Sequence, residues 1–496
     1  MIEDHSITTD TTLASKPTEN NALTKCNAIY GLVVLTLINL VNYMDRYTLS
    51  PILTDIQKYF QPNVSDTMAG LLQTAFISSY MVFAPLFGYL GDRWSRKLLI
   101  IGGTAVWASV VIGSTFVRPN QFWLFMLCRC AVGIGEASYV TCANTIISDS
   151  FIGADRSRAI MLFYFAIPLG GGLAFAVGGT VASLTGYWQW GLRVSPIFGL
   201  ICLVMFLFAK EPKHGQADGH LADPGRWNDD IKSVLRCKTL ILTTVGFTAV
   251  NFSIGVAAWW TPTYIQYSQT SFVDQTYNKT VSSLLFGVCT ALGGLLGTIL
   301  GSCLSIKYRK TTATADPLIC GLSLLICSVS FYVACTVIEY SLALFWIFVF
   351  VTLLSLCANW AITPDILMYV TIPRRRATAT ALQMLIGHLF GDAIGPYIVG
   401  AVTDLQTGAS RKINYTHFIS MQRSMFLLAA VLVVGGVSYL ASSWFILNDL
   451  TIMKQEMVEA AANARLTVIR TPVKTQGLPY NQSFSGTGQQ KPHRVI

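Results

Sequence analysis

Apolar runs long enough to cross a lipid bilayer recur along almost the whole of this sequence. A transmembrane helix needs about 20 mostly apolar residues. Charged residues make up 12% of the chain and hydrophobic residues 53%, whereas charged residues make up about 25% of soluble domains. The sequence therefore predicts an all-α integral membrane protein. Breaking the apolar runs at charged residues, proline and glycine predicts twelve spans, at 28–52, 67–90, 97–117, 121–147, 157–183, 190–209, 238–267, 281–305, 315–337, 340–370, 377–402 and 422–447.

Polar segments divide the predicted spans into two bundles of six helices, 28–209 and 238–447. The segment between the bundles, 210–237, carries charge of both signs and is predicted to be a cytosolic linker. The segments 1–27 and 448–496 are polar and are predicted to be cytosolic tails. Each bundle is therefore expected to form one half of the membrane domain.

The loops after spans 2 and 8 are similar to each other. An ungapped alignment of the two loops places Gly88 on Gly301 and Arg96 on Arg309. A similarity between corresponding loops of two halves is typical of pseudo-symmetric bundles related by an axis along the membrane normal. The ligand site of such a protein is expected near the middle of the membrane, between the halves.

The loop charges and the glycosylation sequons predict the same orientation in the membrane. Basic residues are concentrated in the loops after even-numbered spans, and this excess is typical of the cytosolic side. Sequons at Asn63, Asn278 and Asn414 fall in loops after odd-numbered spans, on the opposite side. Both termini are therefore expected in the cytosol. Because the net charge of +9 lies mainly in these short loops, it indicates topology and not nucleic-acid binding.

Two pairs of oppositely charged residues lie inside predicted spans. Asp45 and Arg46 are adjacent in span 1, and Arg129 and Glu136 share one face of span 4. An ionisable group at the centre of a bilayer costs roughly 2.5–3.5 kcal/mol, so such residues are usually functional. Asn42 lies one turn before Arg46 on the same face of span 1. These residues are expected to form a charge cluster in the central cavity.

The predicted cluster suits the binding of protons and of a charged head group. Burial favours the protonated form of a carboxyl group and a nearby guanidinium favours the ionised form, so small movements decide whether the acid holds a proton. We hypothesise that Asp45 and Glu136 are the proton-coupling sites. Arg46 and Arg129, with Asn42 beside them, would pair alternately with these acids or with a substrate head group. The alternative interpretation is a static salt-bridge network that fixes helix packing.

Three further polar residues are candidates for contact with a substrate head group. His388 and Asp392 lie one turn apart in span 11, where they either relay protons, orient a head group or form a structural pair. Arg193 is either a head-group contact or an interfacial anchor. The sequence shows no metal-ligand spacing, no nucleophile–base constellation and no phosphate-binding glycine loop, so no metal, cofactor or enzymatic activity is expected.

Two motifs resemble the signature sequences of the major facilitator superfamily. They are 88–97, with Ser95 where a glycine is usual, and 129–137. Six blocks resemble the narrower spinster family and extend from span 1 to span 11, namely 42–46, 133–139, 188–193, 315–320, 359–362 and 388–393. The resemblance covers nearly the whole predicted membrane domain, and it implies the major facilitator fold of two six-helix bundles.

The resemblance implies a secondary transporter that works by alternating access. Its substrates are implied to be lysophospholipids or sphingoid lipids, its coupling ion the proton, and its location the late endosomal or lysosomal membrane, with the plasma membrane as an alternative. The protein would act as a monomer surrounded by membrane lipids. Two other functions stay open: a proton-coupled transporter of a small organic solute or drug, and a transport-inactive receptor or scaffold. The retained intramembrane charges argue against the scaffold, because a scaffold does not need them.

The loop after span 2 is expected to act as a cytosolic gate. Asp92, Arg93, Arg96 and Lys97 lie at the cytosolic ends of spans 2 and 3, where charges can latch the two halves in the outward-open state. The alternative interpretation is that these charges only set the orientation of the chain, which suffices for Lys97. Asp92 aligns with Ser305 in the second loop, so the latch is expected to be asymmetric.

Overall fold

The structure, a computed structural model, describes eight segments of the chain: 25–60, 64–91, 93–151, 153–212, 235–271, 278–372, 375–408 and 414–470. Within these segments, twelve helices are long and apolar enough to cross a membrane. The prediction of an all-α membrane protein with twelve spans is confirmed. Asp92 and Asn63 are predicted site residues that lie outside the described segments.

The membrane helices are numbered α1 to α12 in chain order. The first half contains α1 (Lys25–Tyr59), α2 (Asp66–Gly91), α3 (Arg96–Ser114), α4 (Phe122–Ser150), α5 (Arg158–Thr185) and α6 (Trp188–Leu207). The second half contains α7 (Lys238–Gln269), α8 (Lys279–Arg309), α9 (Ala315–Val337), α10 (Leu342–Val370), α11 (Thr378–Thr407) and α12 (Tyr415–Val458). The chain divides into two compact units, Met1–Leu450 and Thr451–Ile496, and residues 451–470 of the second unit are helical.

Two helices that carry predicted site residues depart from regular α geometry. α1 continues to Tyr59, beyond its predicted end at residue 52, because Pro51 is accommodated in a 3-10 turn at Ser50–Ile52 and does not end the helix. α11 contains a π-helical turn at Leu389–Ala393, which includes Asp392. Turns of this kind are frequent at functional sites.

Matching ion pairs in the two halves support the internal repeat. Arg96, at the start of α3, lies 2.7 Å from Asp149 near the end of α4. Arg309, with which Arg96 aligns, lies at the end of α8 and 3.1 Å from Asp365 of α10. Each arginine therefore lies at the junction of the second and third helices of its half and binds the fourth.

The two halves meet through glycines, which allow their backbones to approach closely. A Cβ on Gly287 of α8 would lie 2.4 Å from the carbonyl oxygen of Gly172 in α5. Elsewhere in the interface, a Cβ on Gly400 of α11 would lie 2.3 Å from the carbonyl oxygen of Asp66 in α2. Small residues have this role in membranes because lipid tails are as apolar as the helices, so helix association depends on close packing.

Replacing Gly287 with alanine is expected to loosen the contact between α5 and α8. The added methyl group cannot be placed 2.4 Å from a carbonyl oxygen, so the helices must move apart, which destabilises the fold by about 1–3 kcal/mol. Thermal unfolding of the purified variant in detergent would show a lower midpoint temperature. Gly102→Ala is the matched control, because a Cβ there meets no atom within 4 Å. Equal midpoints for the two variants would contradict this account of the contact.

The burial of α2 shows which end of the interface is closed. Most of its buried residues lie between Asp66 and Ile77, and none lies in 78–90. α2 packs extensively against Gly395–Thr407 of the eleventh span and only slightly against Arg376–His388. The closed end is therefore the end of the membrane domain that holds Asp66 and the end of α11. The predicted orientation places the closed end away from the cytosol.

Candidate functional site

Two ion pairs connect α1 with α4 inside the first half. Arg46 Nη2 lies 3.1 Å from Glu136 Oε2, and Arg129 Nη1 lies 3.7 Å from Asp45 Oδ2. Each arginine therefore pairs with the acid of the other helix. All four residues are 5% exposed or less. The structure brings these four residues together, as the sequence predicted, and they are called the charge cluster below.

Asp45 is surrounded by donors from three other helices. Besides Arg129, it accepts a hydrogen bond from Trp107 Nε1 of α3 at 3.1 Å and one from Ser195 Oγ of α6 at 2.7 Å. Asp45 is fully buried, and its carboxylate has partners on both oxygens. Trp107 and Ser195 were not predictable as partners, because no spacing rule connects residues that lie 62 and 150 positions from Asp45.

Glu136 has a different environment from Asp45. Its Oε2 accepts from Arg46, whereas its buried Oε1 has no hydrogen-bond partner among the described residues. The same is true of Oδ1 of Asn42 and Nη2 of Arg129. Buried polar atoms in native proteins are almost always hydrogen-bonded to protein or water. These atoms therefore have hydrogen-bonding capacity that the described side chains leave unused.

Aromatic rings enclose the guanidinium of Arg46. Its centre lies 5.0 Å from the ring of Tyr43, 5.1 Å from Phe76 and 5.4 Å from Tyr80. Cation–π attraction stabilises a guanidinium in an apolar setting. Arg46 therefore has favourable contacts that do not depend on Glu136.

His388 and Asp392 form a second polar pair, in the second half. His388 Nδ1 lies 3.0 Å from Asp392 Oδ1, and the two side chains are 25% and 12% exposed. The carbonyl oxygen of Ala393, the residue after Asp392, accepts a hydrogen bond from Thr74 Oγ1 of α2 at 2.5 Å. The pair therefore lies close to where α11 meets the first half.

An apolar crevice of about 60 Å³ lies between the two halves. Tyr47 lines it from the first half and directly follows Arg46 in α1. The rest of the lining is mostly apolar and includes Phe175, Phe286, Leu353 and Trp360. The crevice therefore offers apolar surface next to the turn of α1 that carries the buried Arg46.

Arg193 lies apart from the charge cluster. It donates a hydrogen bond to Thr115 Oγ1 at 2.9 Å, where α3 ends. Its guanidinium centre lies 4.7 Å from the ring of Phe116 and 5.0 Å from the ring of Trp190. Phe116 is 70% exposed. Of the two interpretations of Arg193, this position favours the interfacial anchor.

The described residues of the predicted cytosolic gate bind their own half in this conformation. Arg96 lies 3.6 Å from Glu211, in addition to its pair with Asp149. Lys97 Nζ donates to the carbonyl oxygens of Leu207 and Ala209, each at 2.7 Å. Arg93 packs on the ring of Tyr89 at 3.7 Å. These contacts tie the loop after α2 to α4 and to the end of α6.

Two of the predicted sequons, at Asn278 and Asn414, begin in described segments of the chain. Asn278 precedes α8, and its side chain accepts a hydrogen bond from Val281 N at 3.1 Å, which caps the helix. The backbone of Asn414 is described but its side chain is not. Within the described segments, no group of three or more His, Cys, Asp or Glu side chains is placed to hold a metal ion.

Comparison with known proteins identifies the family. Residues 35–396 match the profile of the Major Facilitator Superfamily. Protein spinster homolog 1 of Rattus norvegicus is 42% identical over 429 residues, which cover 84% of this chain and 81% of that protein. The chain belongs to the spinster family of the major facilitator superfamily. Protein spinster homolog 3 of Danio rerio is also similar to this spinster chain, being 41% identical over 441 residues that cover 87% of it and 88% of the relative.

Solved structures share the fold of this spinster protein. The crystal structure of a bacterial homologue of the human lysosomal transporter spinster, in an inward-facing and unoccupied conformation, matches with a TM-score of 0.75 at 21% identity. The match covers 86% of this chain and 99% of that chain. A D-xylose–proton symporter matches with a TM-score of 0.60 at 16% identity, over 82% of this chain and 97% of that one. The predicted major facilitator fold is confirmed.

Named transporters are among the relatives and structural neighbours of this spinster protein. One of them is a sphingosine-1-phosphate transporter of Danio rerio, which is 40% identical over 438 residues that cover 86% of each chain. The spinster protein described here is therefore a multi-pass membrane transporter and not an enzyme.

Proposed function

We propose that this spinster protein moves an amphipathic lipid, of the lysophospholipid or sphingolipid type, by proton-coupled alternating access. The observation that carries the proposal is the position of Tyr47, which lines the apolar crevice and directly follows Arg46 of the charge cluster in α1. A buried cation beside apolar surface suits a ligand with a charged head and an apolar chain. The sphingosine-1-phosphate transporter among the relatives supports this class of substrate.

Arg46 is the proposed contact for an anionic head group. A guanidinium presents five N–H donors in a planar fork that matches the oxygens of a phosphate. In the structure, one of the Arg46 donors is engaged by Glu136, while its Nε has no hydrogen-bond partner. Asn42 and Arg129 add further unpartnered polar atoms to the same cluster.

Proton binding to Glu136 is the proposed coupling step. A protonated Glu136 is neutral and no longer attracts Arg46, while the three aromatic rings still hold the guanidinium. Arg46 is then free to bind an anionic head group, so the proton and the lipid favour each other's binding. We include Asp45 as a second proton site, which acts on Arg129. His388 and Asp392 provide the polar groups that face the head group from the second half.

Alternating access requires a second conformation, in which the closed end is open and the opposite end is closed. We propose that Asp92, Arg93, Arg96 and Lys97 then latch the two halves together at the opposite end. With this orientation, both termini lie in the cytosol and the sequons Asn63, Asn278 and Asn414 lie on the other side, where they are glycosylated. The proposed location is the late endosomal or lysosomal membrane, and the proposed working unit is a monomer.

A second candidate function is proton-coupled transport of a small organic solute. The observation that favours it is the size of the crevice, because about 60 Å³ is well below the roughly 300–1,000 Å³ of drug-sized ligand pockets. A lipid would fit only if the halves separate further, whereas a small solute would need less movement.

Uptake into proteoliposomes separates the two candidates. Purified protein is reconstituted, and uptake of labelled lysophosphatidylcholine and of labelled sphingosine is measured with and without a pH gradient. We expect gradient-stimulated uptake of at least one lipid. Arg46→Gln should reduce uptake of the phosphate-bearing lipid most, since the buried cation is lost. Arg158→Gln is the matched control, because Arg158 is 76% exposed and pairs locally with Asp155. Absence of lipid flux with folded protein would favour the small solute.

A further inference from the structure

At the closed end, an acid of one half caps a helix of the other half. The first backbone N–H groups of a helix have no acceptor within the helix. Asp404 of α11 supplies acceptors for α2. Its Oδ2 accepts from the Thr67 backbone N–H at 2.8 Å and from the Thr67 hydroxyl at 2.6 Å, and its Oδ1 accepts from the Asp66 N–H at 3.3 Å. Ser65, the residue before the helix, caps the Met68 N–H at 3.2 Å in the usual way, and the opposite half supplies the acceptors for the two N–H groups that precede it.

The side chain of Asp66 is also joined to the second half. Asp66 Oδ2 lies 2.6 Å from Nε2 of His417 in α12, and Asp66 Oδ1 accepts from Gln57 Nε2 at 2.8 Å. The ring of Tyr267 packs on His417 with centroids 4.3 Å apart. Asp66 is fully buried and His417 is 6% exposed. Hydrogen bonds shielded from water in this way are strong, and losing one partner leaves a buried charge unpaired.

The backbones of the two halves pack closely around these contacts. A Cβ on Gly400 would lie 2.3 Å from the carbonyl oxygen of Asp66, and one on Gly70 would lie 2.5 Å from the carbonyl oxygen of Pro396. The hydroxyl of Ser50 adds a contact across the interface, because it lies 2.6 Å from the carbonyl oxygen of Ala258. The hydrogen bonds between the halves at the closed end therefore form only while the two halves are in contact.

We propose that Asp404 and the Asp66–His417 pair form a latch that holds the closed end shut, and that breaking this latch controls the opening of that end during transport. Moving α2 away from α11 and α12 removes the acceptors of its first two N–H groups and the histidine partner of a buried carboxylate together. Because both losses fall on one turn of α2, water must replace them in one step. The latch rests on the alternating-access part of the proposed function and does not depend on which substrate is carried.

Hydrogen–deuterium exchange of the full-length protein in lipid nanodiscs tests the latch. Asp404→Ala is expected to raise the exchange rate of residues 66–72 by about tenfold or more, because charge-assisted hydrogen bonds to the first turn are lost. If the loss of Asp404 opens the closed end, residues 395–404 of α11 must also exchange faster, although the N–H groups that Asp404 caps lie on Asp66 and Thr67 of α2. Asp404→Asn should have a smaller effect in both segments, since an uncharged amide oxygen still caps a helix.

Three comparisons make the result decisive. Residues 129–139 of α4 should keep the wild-type rate, which shows that the first half stays folded. Asp155→Asn removes the same charge from a side chain that is 63% exposed and should change neither segment. His417→Asp places two acids together and should open the end, while the exchanged pair Asp66→His with His417→Asp should restore protection.

An increase confined to residues 66–72, or wild-type rates in Asp404→Ala, would overturn the latch. The first result would reduce Asp404 to a local helix cap, and the second would show that the cap contributes no protection. These exchange measurements need no substrate. Failure of lipid uptake with an intact exchange response would therefore reject the proposed function and leave the latch standing.

Discussion

Replacing Glu136 with glutamine is expected to abolish the response of transport to a pH gradient. Glutamine has nearly the shape of glutamate but does not take up or release a proton at the relevant pH. Arg46 loses its ion-pair partner at 3.1 Å but keeps the aromatic rings of Tyr43, Phe76 and Tyr80. The variant is therefore expected to fold and to bind lipid. In proteoliposomes, gradient-driven uptake should fall to the level measured without a gradient, while exchange of lipid down its own gradient persists.

Asp45→Asn tests the second proposed proton site in the same assay. It should also abolish gradient-driven uptake if Asp45 takes part in coupling. Asp155→Asn is the control for loss of one negative charge, because Asp155 is exposed and lies outside the charge cluster. Normal gradient-driven uptake in both Glu136→Gln and Asp45→Asn would reject proton coupling through the charge cluster and would favour the static salt-bridge network.

Replacing Arg129 with alanine is expected to cause the largest loss of stability among substitutions in the charge cluster. Arg129 is 1% exposed and its partner Asp45 is 0% exposed. Without the guanidinium, the Asp45 carboxylate keeps only the uncharged donors Trp107 and Ser195. Removing one member of a buried ion pair destabilises a protein by about 3–5 kcal/mol, because the other charge is left unpaired. A lower thermal midpoint of the purified protein in detergent would show this loss.

The double variant Arg129→Gln with Asp45→Asn separates the effect of charge from the effect of packing. Asparagine still offers an acceptor to Trp107 and Ser195, and no buried charge is left unpaired. The double variant is therefore expected to recover most of the stability that Arg129→Ala loses. If the double variant is as unstable as the single one, the loss comes from packing and not from the unpaired carboxylate.

Part of the arrangement of the charge cluster was predictable from the sequence. The spacing of Arg129 and Glu136 on one helix, and of Asn42 and Arg46 on another, is a local property of the α-helix, so the shared faces were predictable. The crossed pairing of each arginine with the acid of the other helix was not predictable. It depends on how α1 and α4 are placed against each other, which no local pattern specifies.

The sequence left two interpretations of Arg193 open, and only its contacts in the structure distinguish them. Its motif is similar to that of the spinster family, yet its side chain lies with Thr115 and exposed Phe116, away from the charge cluster. The latch at the closed end was not predictable from the sequence, because Asp404 and His417 lie 337 or more residues from the turn of α2 that they bind. A single acid or histidine near the end of a span has many structural uses and carries no distinctive spacing.

The sequence by itself determined the twelve spans, the all-α class, the two halves and the helices that carry charge. The physical reason is that lipid offers no hydrogen-bond partners, so each apolar segment must satisfy its own backbone groups as a helix. Only the tertiary structure decided the partner of each buried charge, the position of the apolar crevice and the end at which the halves close. These features depend on contacts between segments distant in sequence, where glycine packing and a few polar atoms select one arrangement of helices.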